Sequence, residues 1–204
     1  MADYKKPDYW QVKARDEGYP ARSVYKLSEI DEKFRLLKAG QVPAFRVLDM
    51  GAAPGSWSLY VLRNMPGALL VSVDLSPLSR QFDGGLFDRD DFCFFQGDFT
   101  EASTYDLILA RGPYNLILSD AAPATTGNRF VDTCRSLELA KAAAAYAESA
   151  LEKNGSVVIK VFQGGDTSEL LKRLRSLFKI AKSYKPEACR SESFEAYYLG
   201  LGRL

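Results

Sequence analysis

The run Arg46-Val-Leu-Asp-Met-Gly-Ala-Ala-Pro-Gly-Ser-Trp-Ser58 constrains the fold more than any other stretch of this 204-residue chain. Phe45 to Met50 reads as a short apolar strand. Gly51, Ala52, Ala53, Pro54 and Gly55 read as a turn, and a helix carrying Trp57, Leu59, Tyr60 and Leu62 starts near Ser56. Small residues let the backbone approach a ligand closely, and the first turn of a helix offers N–H groups that lack an intrahelical partner. Such a strand–loop–helix unit at the start of an α/β domain is the usual seat of a nucleotide-like cofactor. The dinucleotide fingerprint Gly-x-Gly-x-x-Gly is missing, however, and Pro54 has no N–H to give a pyrophosphate. A phosphate-free nucleoside, S-adenosylmethionine foremost, suits the loop better; the alternative is a tight turn with no ligand.

Strand and helix patterns alternate along the remainder. A short helix is expected near Tyr9–Glu17, broken by Gly18 and Pro20, then a helix from Ser23 to about Leu36 with Val24, Leu27, Ile30 and Phe34 on one face and Lys26 off it. Gly40 and Pro43 close that segment. Further strands are expected at Ala68–Val73, Phe92–Gln96, Tyr114–Ser119, Ser156–Val161, Ile180–Lys185 and within Ser193–Leu201. Helices are expected over 101–111, Val131–Glu152 (stopped by Asn154-Gly155) and Thr167–Phe178. This predicts one α/β domain over residues 1–204: a mostly parallel seven-stranded sheet, helices on both faces, and an antiparallel C-terminal strand.

The chain has no histidine, and Cys93, Cys134 and Cys189 are scattered, so the common zinc sites and the histidine-dependent nucleophiles are excluded. Scattered cysteines, no membrane-length apolar run and no signal-peptide core point to a cytoplasmic protein. Acid–base chemistry must rest on Lys, Asp, Glu, Tyr or water.

Carboxylates follow successive strands. Asp74 suits a ribose diol or a loop cap; Asp98 suits an adenine amino group, with Phe99 walling the ring, or the N-cap of the next helix. Asp120 follows the fourth strand, Lys160 stands inside the buried-looking run Val-Val-Ile-Lys-Val-Phe, and Glu195 stands just before the last strand. In open α/β sheets ligands sit at the carboxyl ends of strands, so these groups and Lys26 converge there. Two lysines and two carboxylates can deprotonate a ribose hydroxyl if burial and the second ammonium depress one lysine's pKa; a pair of structural salt bridges is the alternative.

With those residues in view, the chain resembles the RrmJ/FtsJ family of RNA ribose 2′-O-methyltransferases from about Tyr19 to Gly202. The matching stretches are Ala21-Arg-Ser-Val-Tyr-Lys-Leu27, Asp49 to Ser58, Gly97-Asp-Phe99, Ser119-Asp-Ala-Ala-Pro123, Val158-Ile-Lys-Val-Phe-Gln-Gly164, and Lys185-Pro186 through Ser193-Phe-Glu195. The resemblance implies a Rossmann-like class I methyltransferase fold and a catalytic tetrad at Lys26, Asp120, Lys160 and Glu195. It also implies S-adenosylmethionine contacts at Gly51, Ala52, Gly55, Trp57, Asp74, Asp98 and Asp120, with no metal. Ser56 departs from the family, whose members often have a second glycine there. The compact chain is most similar to the bacterial-type enzymes that methylate a uridine ribose in the A-loop of large-subunit rRNA. A tRNA anticodon-loop enzyme, or a non-catalytic RNA-binding protein on the same fold, is the alternative.

Net charge is only +1, but Lys172, Arg173, Arg175, Lys179, Lys182, Lys185 and Arg190 face Glu187 alone in their segment. With Lys5, Lys6, Lys13 and Arg15 in the basic, aromatic opening segment (residues 1–20), this predicts an RNA-docking face, or else solvated helix surface. Tyr19 and Tyr25 could stack on a base or pack in the core. The expected partner is large-subunit rRNA within a ribosomal particle, with the protein a monomer.

Overall fold

The computed structural model describes residues 8–37, 44–164, 167–190 and 192–204. Lys5, Lys6, Gly40 and Pro43, on which parts of the sequence reading rest, lie outside them. The described elements run α1 (Tyr9–Asp16), α2 (Val24–Phe34), β1 (Arg46–Met50), α3 (Ser56–Asn64), β2 (Leu69–Asp74), β3 (Phe92–Gln96), α4 (Ala102–Leu109), β4 (Tyr114–Ser119), α5 (Arg129–Ala150), β5 (Leu151–Phe162), α6 (Thr167–Leu177), β6 (Phe178–Tyr184) and β7 (Glu195–Arg203).

The seven strands form one sheet in the order β3-β2-β1-β4-β5-β7-β6. Strands β1 to β5 pair in parallel, and β7 runs antiparallel between β5 and β6. Successive strand residues point to opposite faces, which divides the core in two. Leu48, Met50, Ile117, Val157 and Ile159 meet α5 and α6, while Val47, Leu116, Leu118, Val158, Tyr197 and Leu199 meet α2 and α3. Burying each large aliphatic side chain contributes about 1.5–3 kcal/mol, so the two layers together fix the sheet.

Local chemistry explains the boundaries. Asp8 and Gln11 close a capping box at the start of α1, and the Asn128 side-chain Oδ1 accepts N–H groups of Phe130 and Val131 at the start of α5. Ala140, Ala143, Ala144 and Ala147 are buried on α5 and let that long helix lie close on the sheet. Where the sequence predicted α5 to run on to Glu152, the helix ends at Ala150 and Leu151 already pairs with Tyr114. Asn154, at φ 65°, and Gly155 sit in a bulge between the Tyr114–Leu151 and Leu116–Ser156 pairs. The turn signal there marks an irregularity inside a strand, not the boundary between helix and strand. Among the described residues no helix is long and apolar enough to cross a membrane.

Candidate active site

Strand parity selects the site. Asp120 continues the parity of Leu116 and Leu118, Lys160 that of Val158, and Glu195 that of Tyr197 and Leu199. All three therefore project to the α2/α3 side at the carboxyl ends of β4 and β5 and the start of antiparallel β7. Helix α2 buries Leu27 and Ile30 there and so brings Lys26 to the same place.

The four side chains form two ion pairs, Lys26 Nζ to Glu195 Oε1 at 2.7 Å and Lys160 Nζ to Asp120 Oδ1 at 3.0 Å. Lys160 also donates to the main-chain carbonyl of Asp120. A fifth group, which sequence reading missed, joins them: the Tyr197 hydroxyl donates to Asp120 Oδ1 at 2.7 Å. Tyr197 lies opposite Lys160 in the β5–β7 ladder, a register that the sequence alone does not reveal. Burial works to lower the Lys26 pKa, but the carboxylates of Asp120 and Glu195 outweigh it and hold the group above its ordinary value. The expectation that burial would depress a lysine's pKa therefore does not hold at Lys26, which is a fixed cation. Burial, with the Glu195 carboxylate beside it, pushes the neighbouring Cys189 thiol up to about 12, so it is no nucleophile.

The glycine loop is built against this cluster. Gly51 takes φ 73°, and a Cβ there would stand 2.5 Å from Ala121 Cα. Close approach of the two loops after β1 and β4 thus requires glycine on both counts. Gly55, at φ 108°, starts α3, and its amide donates to the Ala52 carbonyl. Asp74 ties the loop down: its Oδ2 accepts from Ala53 N at 3.0 Å and its Oδ1 from Ser76 N at 2.8 Å. Asp98 does not cap α4, whose N-cap is Glu101; its Oδ1 instead takes both the amide and the hydroxyl of Thr100.

A cleft of about 340 Å³ opens at these strand ends. Gly51, Ala53, Asp74, Asp98, Phe99, Asp120 and Lys160 line it; Ala52, Gly55, Trp57, Lys26 and Glu195 do not. Trp57 is only 2% exposed, and its indole N–H donates to the Ser23 carbonyl at 2.8 Å. Its side chain thus pins the start of α2, three residues before Lys26. Ser56 has a similar use. Its hydroxyl accepts from Ala21 N and donates to Ala21 O, which hooks the segment before α2 onto α3.

Beneath the loop, Asp49 is fully buried. Its Oδ2 accepts from the Ser58 hydroxyl at 2.7 Å, while Oδ1 is the one buried side-chain polar atom among the described residues without a partner. Burial, opposed by that hydrogen bond and reinforced by Asp120 and Asp74, pushes its carboxyl up to about 7. Its place in the apolar-looking run Arg46-Val-Leu-Asp-Met50 was the only sequence signal.

The basic segment from Lys172 to Arg190 does not form one face with the opening segment. Helix α6 packs on the α5 side of the sheet, where Arg173 pairs with Glu148. Lys182 and Arg190 lie instead by α2 and α1, over Phe34 and near Asp8. The chain folds α6 across the sheet before β6 returns, which separates the two halves of the cluster. Among the described residues no group of side chains could hold a metal ion.

Residues 19–203 match the FtsJ-like methyltransferase family. The chain is 50% identical over 200 residues to the ribosomal RNA large subunit methyltransferase E of Treponema denticola, covering 97% of this chain and 96% of that one. It is 45% identical over 193 residues to the protein of the same name from Borreliella afzelii, at 95% and 96% coverage. Among solved structures it resembles a ribosomal RNA methyltransferase of Plasmodium falciparum, with TM-score 0.73, 25% identity, and coverage of 91% of this chain and 99% of that one. The fibrillarin/Nop5p complex, at TM-score 0.54 and 20% identity, covering 82% of this chain and 78% of that one, shares the fold.

Proposed function

The chain belongs to the FtsJ-like methyltransferase family, and from that premise we propose that it transfers a methyl group from S-adenosylmethionine to a ribose 2′-hydroxyl of RNA. The substrate we assign is large-subunit rRNA, carried over from the relatives' names, and within it a uridine of the A-loop, carried over from the sequence resemblance. The observation that carries this reading is the shared cleft. Lys160 and Asp120 line the same cavity as Asp74, Asp98 and the glycine loop, so a methyl donor and a hydroxyl acceptor can meet there.

The residues present fit the donor. Gly51 and Ala53 line the cleft with small residues, and carboxylates end successive strands β2 and just beyond β3. Each Asp74 oxygen accepts one main-chain N–H and keeps a lone pair for a ribose hydroxyl; Asp98 keeps Oδ2 for an adenine amino group. S-adenosylmethionine, when bound, supplies an electrophilic methyl on a sulfonium centre.

In this reading Lys160, entering as the neutral amine with its own proton released to solvent, orients the 2′-hydroxyl and takes its proton as the oxygen attacks the methyl, held in position by both the carboxylate and the main-chain carbonyl of Asp120. Tyr197 holds Asp120 in turn. Lys26 stays cationic and stabilises negative charge growing on the hydroxyl oxygen, while Glu195 positions Lys26. Alignment of oxygen and methyl supplies much of the acceleration. RNA docks on the side of α1 and α2, where Lys13, Arg15, Lys182 and Arg190 lie; phosphate contacts position it without reading sequence. The protein acts as a monomer inside the cell on an assembled ribosomal particle.

The test offers the protein ribosomal particles, free rRNA and tRNA together with methyl-labelled S-adenosylmethionine, and maps the product. Ribose label in the A-loop of the large rRNA is expected. Label on tRNA alone would overturn the rRNA assignment, and label on a base would overturn the 2′-O chemistry.

A further inference from the structure

At the mouth of the tetrad lies a layered group of side chains that the proposed chemistry does not use. The Arg129 guanidinium sits 5.2 Å above the centre of the Phe194 ring. Phe194 meets the buried Phe162 edge-on, at 4.7 Å and 66°. Both rings are tied to the catalytic strands. Phe162 lies two residues beyond Lys160 and pairs with Glu195 in the ladder, and Phe194 immediately precedes Glu195. Main-chain bonds fix the stack from two sides: the Ser136 hydroxyl accepts from Phe162 N, and Phe194 O accepts from Gln163 N at 2.6 Å.

Arg129 is exposed, and among the described residues it makes no hydrogen bond or ion pair. Phe194 therefore covers one side of the guanidinium, and the residue is otherwise exposed. The next residue, Phe130, is 73% exposed, an apolar ring in water on the first turn of α5. A flat, uncharged aromatic group is what an exposed guanidinium and an exposed phenyl ring receive well.

We propose that Arg129 is a stacking site for a nucleobase of the substrate RNA, within one nucleotide of the methylated ribose. The site orients the RNA strand entering the tetrad, which makes Arg129 a positioning residue and Phe194 and Phe162 its support. Phe194 and Glu195 are chain neighbours about 3.8 Å apart at their Cα atoms, which places the stack beside the tetrad. The proposal rests on the reading of the chain as an RNA ribose methyltransferase.

Steady-state methylation of a minimal rRNA fragment that contains the mapped site tests it, with wild type, Arg129→Ala, Arg129→Lys and Arg129→Tyr. Arg129→Ala should raise KM for RNA roughly ten- to hundredfold, as loss of one base stack does. Maximal rate and S-adenosylmethionine affinity should stay within about twofold. Arg129→Tyr keeps a flat face without charge and should recover most of the loss, whereas Arg129→Lys keeps charge without the plane and should not. An abasic nucleotide placed in turn at the target and its two neighbours should reproduce the loss at one position, and there Arg129→Ala should add nothing further. Rescue by Lys and not by Tyr, unchanged KM in Arg129→Ala, or full additivity at every abasic position would each overturn the stacking site. Failure of wild type to methylate any RNA would overturn the functional reading and the stacking site with it.

Discussion

Replacing Asp49 by Asn tests the electrostatics under the glycine loop. In the folded protein the carboxyl is pushed up to about 7, against about 3.9 in an unfolded chain. The folded state therefore holds a proton that the unfolded state releases across this window, and stability must fall as pH rises through it, levelling off above about 7. A shift of about three units corresponds to a cost of about 4 kcal/mol once the group is ionised in the fold, at 1.36 kcal/mol per unit. Asparagine is neutral throughout and keeps an oxygen for the Ser58 hydroxyl, which also lies 3.0 Å from the Ser72 hydroxyl. Its amide brings an unpartnered donor, as the protonated acid does, so those costs cancel approximately at low pH. Urea unfolding of both proteins at about pH 5 and about pH 8.5 should show the variant gaining about 2–3 kcal/mol on wild type between the two conditions. Every other titrating group is common to both proteins and drops out of the comparison. Parallel stabilities at the two pH values would refute the reasoning, because the Asp49 carboxyl would then titrate alike folded and unfolded.

Three further outcomes follow from the site. Calorimetric titration of Asp74→Ala should show S-adenosylmethionine affinity reduced roughly ten- to hundredfold, from lost hydroxyl acceptors and from loss of the Ala53 anchor; unchanged affinity removes Asp74 from the site. Lys160→Ala should lose methyl transfer by roughly a hundredfold or more while cofactor affinity holds, and Glu195→Ala should lose less, since Glu195 acts through Lys26; wild-type turnover by the Lys160 variant would sink the assignment. Gly51→Ala places a methyl 2.5 Å from Ala121 Cα at φ 73°, which should cost about 2–4 kcal/mol and lower the melting temperature by roughly 5–10 °C; an unchanged melting temperature would mean that the loops separate freely.

The glycine loop was legible because small residues and positive φ leave a direct trace in sequence. Strands β3 and β4 were legible to the residue because apolar runs there are bounded by polar or turn residues. Lys160 was conspicuous as a charge in an apolar run, and strand-end positions drew Asp120 and Glu195 towards it. What escaped depends on register and long-range packing. Tyr197 reaches Asp120 only through the β5–β7 ladder, and Trp57 turns away from the cleft because α2 covers it. The direction of the Lys26 shift is the outcome of two opposed effects whose balance requires positions in space. The basic segment looked continuous in sequence but is divided by a sheet crossing that no local pattern announces.

Strand β7 separates two strands that precede it in the chain. Until residues 195–203 have been synthesised, β5 and β6 cannot be joined, and each keeps an open edge on which a neighbouring nascent chain could pair. The same nine residues bring Glu195 to Lys26 and Tyr197 to Asp120. The glycine loop, Asp74 and Asp98 are all made far earlier, so a growing chain acquires its donor-binding elements long before its full set of acceptor-side groups. Insertion of this strand closes the sheet and completes the reaction centre in one event, and a chain truncated before it should be inactive and prone to aggregate.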